Sequence, residues 1–485
     1  MVFTSPFFVF VFLPLVWLVW YGLRAFDAGT RGSLLLLCVA SLVFYAWWHV
    51  PDLALLAASI GANFLLGRLI ANARPASRAR IAAAGVAANL AVLAVFKYWA
   101  LFTGWRSGLA LPLAISFFTF TQIAFLVDSA RDKVREPSLL RYSAFVLFFP
   151  HLIAGPIVRL QEIQDQLTRC VPQSVRARRL ARGFALVAIG LAKKIFIADS
   201  LAPAANILFG SSAETSISAS MAFVGLISFY FQIYFDFSGY TDIALGTARL
   251  FGIRFPRNFN HPYRAASLVE FWKRWHMTLS RFLRDYLYIP LGGNRKGLAR
   301  EIAALLVTMG LGGLWHGAAL TFVAWGLVHG VGLAANHLAR RFLRLRLPTL
   351  AAWALTQLFV LLAWVLFRSP DMETALRIYA ALAGATQASG AGVAAMASAS
   401  FAAWSHLLPA PLAAHATIWL GALLAVAAWA AIHPRLPVRA IGGHVRRAVW
   451  TREALYASLV IVLGAALVLK IRAADAIEPF IYFQF

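Results

Sequence analysis

Two stretches concentrate the chemistry of this chain: EFWKRWHMTLSRFLRDYLYIPLGGNR, from Glu270 to Arg295, and MGLGGLWHGAA, from Met309 to Ala319. On a helix at about 100° per residue, the aromatic and aliphatic side chains of the first stretch share one arc, and most of its charges share the opposite arc. His276 falls at the border of the apolar arc. The pattern predicts one basic helix at a membrane surface, with cations toward the headgroups and His276 directed into the protein. For this helix taken alone, a hydrogen-bonded core histidine is the simpler interpretation of His276.

Apolar runs make up most of the remaining chain. Of the 485 residues, 61% are hydrophobic and 13% are charged, and the mean hydropathy is +0.73. Runs of about 18 or more nearly uncharged residues recur along the chain, and each is long enough to span a bilayer as a helix. The runs are continuous rather than alternating, which disfavours a β-barrel. We therefore predict an all-α polytopic transmembrane protein, with a single membrane domain over residues 1–485 and roughly ten to twelve spans from Phe7–Leu23 to Ala457–Leu469.

The charge of the chain is strongly positive, with a formal net value of +25. In a soluble protein this would suggest nucleic acid. Here Lys and Arg cluster in short loops between apolar runs, which indicates positive-inside topology and contact with anionic lipid. The count places the N-terminus outside and the loops at Arg24–Arg31 and Arg74–Arg80 in the cytoplasm. No nucleic-acid partner is expected.

Two apolar runs carry features that are costly in lipid. FVLFFPHLIAGPIVR, Phe145 to Arg159, is interrupted by prolines and a glycine, which predicts either a re-entrant segment or a kinked helix. QIYFDFSGYTDIALG, Gln232 to Gly246, places Gln232, Asp236 and Asp242 where polar groups should face the protein interior or a wet cavity. These groups could instead hold helices together or cap a helix break at Ser238–Gly239.

Several chemistries are disfavoured because their motifs are missing. The sequence has no G-x-x-x-x-G-K-[ST], no H-E-x-x-H, no paired C-x-x-C and no G-x-S-x-G, which argues against ATP-driven, zinc and serine-nucleophile chemistry. Its two cysteines, Cys38 and Cys170, indicate neither a disulfide framework nor a metal site. Histidines in apolar surroundings remain. His316 is the stronger candidate, because nearby glycines allow close approach and a neutral imidazole can take a proton from a hydroxyl that attacks a thioester.

The two opening stretches resemble the signature region of the membrane-bound O-acyltransferase (MBOAT) family, over residues 270–318. More closely, the chain is similar to the bacterial branch that contains the alginate O-acetyltransferase membrane subunit. The similarity extends to FFPHLIAGPIVR, QIYFDFSGYTDIALG, FPRNFNHPY and the terminal FIYFQF. It implies a central cavity through a ring of tilted helices with re-entrant and interfacial segments, which the acyl donor enters from the cytoplasm.

The resemblance also implies roles for individual residues. The family's invariant histidine corresponds to His316, as general base, and its second signature position corresponds to His276, which would polarise the carbonyl or orient the substrate. The cytoplasmic mouth, where cations meet the phosphates of coenzyme A, would be shaped by Arg284, Asp285, Tyr286 and Asn294. The cavity wall would include Gln232, Tyr234, Asp236 and Tyr240. The remaining members of the implied substrate-binding set are Trp272, Trp275, Tyr288 and Trp315.

What the branch implies is a bacterial inner-membrane enzyme that moves an acetyl group from a cytoplasmic thioester toward an exported polysaccharide such as alginate. The donor would be acetyl-coenzyme A or an acyl carrier protein thioester, with no bound cofactor or metal. The acyl group would pass to a periplasmic SGNH-type acyltransferase or polysaccharide-modifying protein.

Three alternatives stay open at this point. One is an enzyme that needs no partner, and another is D-alanyl transfer to teichoic acid from a carrier protein. The third is a solute transporter, for which Asp236, Asp242 and the interrupted segment at residues 145–159 would line the pathway. The sequence lacks paired broken helices in two similar halves, which counts against the transporter.

Overall fold

The described part of the chain is helical. The computed structural model describes residues 1–25, 29–104, 111–134, 138–168, 173–212, 215–343, 347–386, 391–402, 404, 415–432 and 480, and none of these residues is in a β-strand. The α-helices are α1 (Leu13–Ala25), α2 (Gly29–Ala46), α3 (Asp52–Asn72), α4 (Pro75–Leu93), α5 (Trp99–Thr103), α6 (Ile115–Ala130), α7 (Leu139–Leu147), α8 (Phe149–Leu152), α9 (Leu160–Thr168), α10 (Gln173–Ala192), α11 (Asp199–Phe209), α12 (Ala219–Leu250), α13 (Leu268–Arg274), α14 (Met277–Leu283), α15 (Leu298–His316), α16 (Leu320–Leu338), α17 (Thr349–Arg368), α18 (Met372–Leu382), α19 (Ala391–Ala402) and α20 (Ala416–Ile432). Shorter π-helical segments lie at Phe8–Phe12, Ala94–Tyr98, Lys193–Ala198, Arg284–Tyr288 and Ala339–Leu343, and 3-10 turns at Pro262–Arg264 and Gly293–Arg295. The prediction of an all-α protein is confirmed.

Six of the described helices are long and apolar enough to cross a membrane, judged by length and composition. They are Asp52–Asn72, Pro75–Thr103, Ala219–Leu250, Leu298–His316, Leu320–Leu343 and Thr349–Arg368. Shorter apolar helices lie at Phe8–Arg24, Thr30–Ala46, Ile115–Ala130, Gly392–Ala402 and Ala416–Ile432. The chain is therefore a multi-pass membrane protein.

Some sequence predictions fall on residues that the structure does not describe. These are Cys170, the late span Ala457–Leu469 and the terminal motif apart from Phe480. The total of ten to twelve spans accordingly stays a prediction. Cys38 is described, and its thiol is buried and free.

The described residues form two compact units. The first comprises those of Met1–Ile189 and Tyr240–Arg257, and the second those of Gly190–Gly239 and Asn258–His444 together with Phe480. In the first unit, the rings of Phe8, Phe12, Phe44 and Phe149 have centroids within 6.2 Å of one another. Such a cluster supplies large apolar contact area from few residues.

The interrupted run at residues 145–159 is buried within the first unit. Helix α7 ends at Leu147, the four-residue α8 follows, and residues 153–159 form no regular helix. The Phe149 N–H donates to Ser41 Oγ at 3.0 Å, and His151 Nε2 lies 2.8 Å from the Phe145 carbonyl oxygen. The polar backbone is thus covered by protein, as irregular backbone at membrane depth requires. The segment is two short helices with an irregular continuation, and not one kinked helix.

In the second unit, α15 and α16 cross at glycines. A Cβ on Gly313 would lie 2.1 Å from the Phe322 carbonyl oxygen, and one on Gly326 would lie 2.2 Å from the Met309 carbonyl oxygen. Only residues without a Cβ allow two backbones to approach so closely. Most of the glycines around His316 therefore serve the contact of α15 with α16, whereas Gly312 faces Leu283 of α14.

Helix α12 runs without interruption from Ala219 to Leu250, so a break at Ser238–Gly239 does not occur. Gly239 instead marks a close approach to the end of α10. A Cβ at Gly239 would lie 2.8 Å from the Gly190 carbonyl oxygen. The glycine is required by packing.

Beside this approach, three buried charged side chains join α11, α12 and the π-helical segment Lys193–Ala198. Lys194 Nζ lies 2.8 Å from Asp199 Oδ1 and 2.9 Å from Asp236 Oδ1, and each side chain is at most 6% exposed. Pairing of this kind is what makes a buried charge tolerable. Asp236 thus holds elements together, which is one of the roles that its place in an apolar run suggested.

Candidate active site

The backbone at His276 departs from the predicted continuous helix. Helix α13 ends at Arg274, His276 has the left-handed φ of 40°, and α14 begins at Met277. The break has a tertiary cause. The Asn260 N–H donates to the Arg274 carbonyl oxygen at 2.9 Å, and the Met277 N–H donates to the Asn258 carbonyl oxygen at 2.8 Å. These bonds replace helical ones, so the single amphipathic helix expected over 270–295 is wrong.

The His276 ring is fully buried and held by Asn258. His276 Nδ1 lies 3.0 Å from Asn258 Oδ1, which also accepts the Thr278 N–H at 3.3 Å and the Thr278 hydroxyl at 2.9 Å. Burial lowers the pKa of His276 from 6.5 to about 3. The imidazole is therefore neutral at physiological pH.

His316 is the last residue of α15 and lies near His276. Their ring centroids are 6.5 Å apart, and His316 is also buried. The His316 ring meets Trp325 at 5.3 Å and Phe367 at 5.2 Å, both edge-on. Two buried imidazoles in aromatic surroundings are suited to hydrogen bonding and proton transfer, because the low local dielectric strengthens such interactions.

Aromatic side chains from several elements of the second unit surround the two histidines. The Trp315 ring contacts both histidines, with its centroid 4.9 Å from that of His316 and 6.3 Å from that of His276. Trp275 contacts Trp364 at 5.1 Å and Tyr234 at 6.3 Å. The structure thus brings the predicted residues His276, His316, Trp275, Trp315 and Tyr234 into one connected cluster.

A third buried histidine, His329, extends this cluster and was missed by sequence reasoning. The Trp272 indole N–H donates to His329 Nδ1 at 3.3 Å, and the His329 ring lies 5.0 Å from Trp325. His329 follows Trp325 by four residues, so both share one face of α16. This four-residue spacing is the sequence signal that could have identified His329. Asn258 was also missed, although it lies within the quoted motif FPRNFNHPY.

The residues implied for the cytoplasmic mouth lie on the segment that follows α14. Arg284 pairs with Asp285 at 2.7 Å and is 61% exposed. The Tyr286 ring packs on Phe282 at 4.8 Å, and Asn294 is exposed in a 3-10 turn. Tyr288 is half-buried on the π-helical segment Arg284–Tyr288. Their part in donor binding stays a prediction.

The implied cavity-wall residues on α12 separate into different surroundings. Gln232 is buried, and Asp236 belongs to the ion pairs with Lys194. Tyr240 lies in the first unit, where its ring stacks on Phe3 at 4.8 Å. Of the four, Tyr234 is the one whose described contacts reach the aromatic cluster around the histidines.

Comparison of the whole sequence with known proteins agrees with the motif resemblance. A sequence model of the family described as "MBOAT, membrane-bound O-acyltransferase family" matches residues 43–369. A peptidoglycan O-acetyltransferase of Helicobacter pylori is 41% identical over 424 residues, which cover 79% of this chain and 80% of that protein. A probable alginate O-acetylase, AlgI, of Azotobacter vinelandii is 40% identical over 399 residues, covering 79% and 78%. A teichoic acid D-alanyltransferase of Streptococcus thermophilus is 28% identical over 241 residues, covering 46% and 56%.

Proposed function

This chain belongs to the membrane-bound O-acyltransferase family, and we propose that it moves an acetyl group from a cytoplasmic thioester across the bacterial inner membrane for O-acetylation of an exported polysaccharide. That it is a membrane acyltransferase follows from the family and from relatives of about 40% identity. The donor, the polymer and the route of the acetyl group are the parts proposed here. Alginate and peptidoglycan are the acceptors that the names of the nearer relatives suggest.

The observation that carries the proposal is the pair His276 and His316, buried with their rings 6.5 Å apart. In the transfer, the oxygen of a hydroxyl forms a bond to the thioester carbonyl carbon, and the carbon–sulfur bond breaks. His316 takes the hydroxyl proton and returns it to the departing thiolate. Aromatic walls keep water from competing as the nucleophile.

We infer acetyl-coenzyme A as donor and a periplasmic SGNH-type acyltransferase, or another polysaccharide-modifying protein, as partner. Acetyl transfer is supported by the nearer relatives. D-alanyl transfer from a carrier protein is the second candidate, because a D-alanyltransferase matches 46% of the chain. Membership of an acyltransferase family favours both over the solute transporter.

The test uses the purified full-length protein with radiolabelled acetyl-coenzyme A, with and without a periplasmic SGNH-type acyltransferase as the candidate partner. We expect wild type to release free thiol and to transfer label, and His316→Ala to lose at least about a hundredfold in rate, as general-base removal does. His49→Ala, at an exposed turn, is the control and should retain activity. Label consumed from a D-alanyl carrier protein, and not from acetyl-coenzyme A, would replace the donor proposed here.

A further inference from the structure

The side-chain amide of Asn258 has a fixed orientation. Its Oδ1 atom accepts from the Thr278 backbone N–H at 3.3 Å, and a backbone N–H can act only as a donor. The atom at this position must therefore be the oxygen and not the amide nitrogen. A second donor, the Thr278 hydroxyl at 2.9 Å, lies against the same atom.

This orientation decides which nitrogen of His276 carries the proton. Asn258 Oδ1 can only accept, so His276 Nδ1, 3.0 Å away, must donate. A neutral imidazole has one N–H, and the other nitrogen then carries a lone pair. Nε2 of His276 is consequently a hydrogen-bond acceptor.

The Nε2 atom of His276 is buried and has no hydrogen-bond partner among the residues that the structure describes. A buried polar atom left in this way costs stability, so a group that pairs with it is expected at some stage of function. The ring lies among Phe237 at 4.7 Å, Trp315 at 6.3 Å and His316 at 6.5 Å. The distances are between ring centroids, and His276 Nε2 makes no hydrogen bond to the described His316 ring.

We propose that Asn258 is a positioning residue that holds His276 as the Nδ1–H tautomer, so that Nε2 accepts a hydrogen bond from an O–H or N–H group of the bound substrate. His276 then orients the substrate while His316 takes the proton. It does not polarise the thioester carbonyl, because a lone pair cannot donate to a carbonyl oxygen. The inference rests on the acyl transfer proposed above.

The first experiment determines the tautomer of His276 by NMR and does not depend on acyl transfer. The full-length protein is labelled with ¹⁵N-histidine in detergent micelles, and the His276 resonance is assigned by its loss in His276→Gln. We expect Nδ1–H and a bare Nε2 in wild type, with Nε2–H appearing in Asn258→Leu. Thr278→Val keeps Asn258 and should leave the tautomer unchanged. An Nε2–H signal in wild type would overturn the proposal, whether or not the protein transfers acetyl groups.

The second experiment reads the direction of a pH effect on acyl transfer. In Asn258→Asp the carboxylate faces Nδ1–H and raises the pKa of His276, which burial holds at about 3 in the wild type. As pH falls through that raised pKa, Nε2 becomes protonated and can no longer accept. Protonation of His316 lowers the rates of wild type and variant alike, so the two are compared at each pH. We expect the ratio of Asn258→Asp activity to wild-type activity to fall about tenfold per pH unit below the raised pKa of His276. A ratio that instead rises as pH falls would show His276 acting as a donor to the carbonyl.

Discussion

His276 and His316 reach the site through different backbone arrangements. His276 occupies left-handed backbone space, which costs a residue with a Cβ on the order of 1–2 kcal/mol. Pairing of residues 258–260 with the segment around Arg274 and Met277 holds it there. His316 ends α15 and is followed by extended backbone at Gly317, so its ring needs no strain to point away from the helix. Backbone strain at His276 is typical of a functional position, because a position without a function could be held by a residue in an unstrained helical conformation.

The buried charges of Lys194, Asp199 and Asp236 predict a large loss of stability for one substitution. Lys194→Met removes the cation that both carboxylates approach within 2.9 Å. We expect a loss of roughly 3–5 kcal/mol, because removal of one partner leaves buried charge uncompensated. The measurement is the thermal unfolding midpoint of the purified protein in detergent.

Lys193→Met is the matched control, since Lys193 is the neighbouring lysine on the same π-helical segment and is only half-buried. It should lower the midpoint by much less. If Lys194→Met gives no folded protein, Asp236→Asn provides a milder change, with one carboxylate still paired to Lys194. A Lys194→Met protein with the unfolding midpoint of wild type would show that the buried ion pairs contribute nothing to stability.

The sequence pattern predicted which faces of the helical segments are buried, but not where a helix is interrupted. The two arcs predicted for residues 270–295 correctly place Phe271 and Leu279 on a buried side and Lys273 and Arg284 on an exposed side. The break at His276 was not predictable, because its cause is backbone pairing with residues 258–260 and periodicity reports only local contacts. Asn258 was hidden for the same reason, since its partner lies 18 residues away.

The crossing of α15 and α16 requires a residue without a Cβ at position 313. Gly313→Ala would place a Cβ 2.1 Å from the Phe322 carbonyl oxygen, which is backbone and cannot rotate away. The helices must separate, at an expected cost of about 1–3 kcal/mol and with displacement of His316, three residues along α15. We expect a lower unfolding midpoint and a lower rate of acyl transfer in the same protein.

Gly61→Ala is the control for this substitution, because Gly61 lies in α3 and a Cβ there meets nothing within 4 Å. Ala is the better helix former by about 1 kcal/mol, so this variant should be neutral or stabilised. A Gly313→Ala protein with the unfolding midpoint and rate of wild type would contradict a glycine requirement at the crossing.

Composition and charge predicted the all-α multi-pass class of the molecule, whereas the residues of the site were predicted from motif resemblance. Apolar length alone is enough to recognise spanning helices, because lipid forces every backbone polar group to be satisfied within them. It carries no information on which helices meet. The cluster of His276, His316 and Trp315 joins segments 40 residues apart in the chain. The residues implied for the cytoplasmic mouth were likewise predicted from resemblance, and no spacing pattern in the sequence identifies them.

The distribution of the net charge of +25 predicts the orientation of the molecule in the membrane. The turn at residues 49–52 has no Lys or Arg, whereas the turn between α3 and α4 contains Arg74 and is followed by Arg78 and Arg80. In a background with both native cysteines replaced, we expect Val50→Cys to react with a membrane-impermeant maleimide on intact spheroplasts and Ala76→Cys to react only after lysis. Both positions are exposed, so burial does not explain a difference between them. The reverse labelling would contradict the orientation that the positive-inside rule predicts.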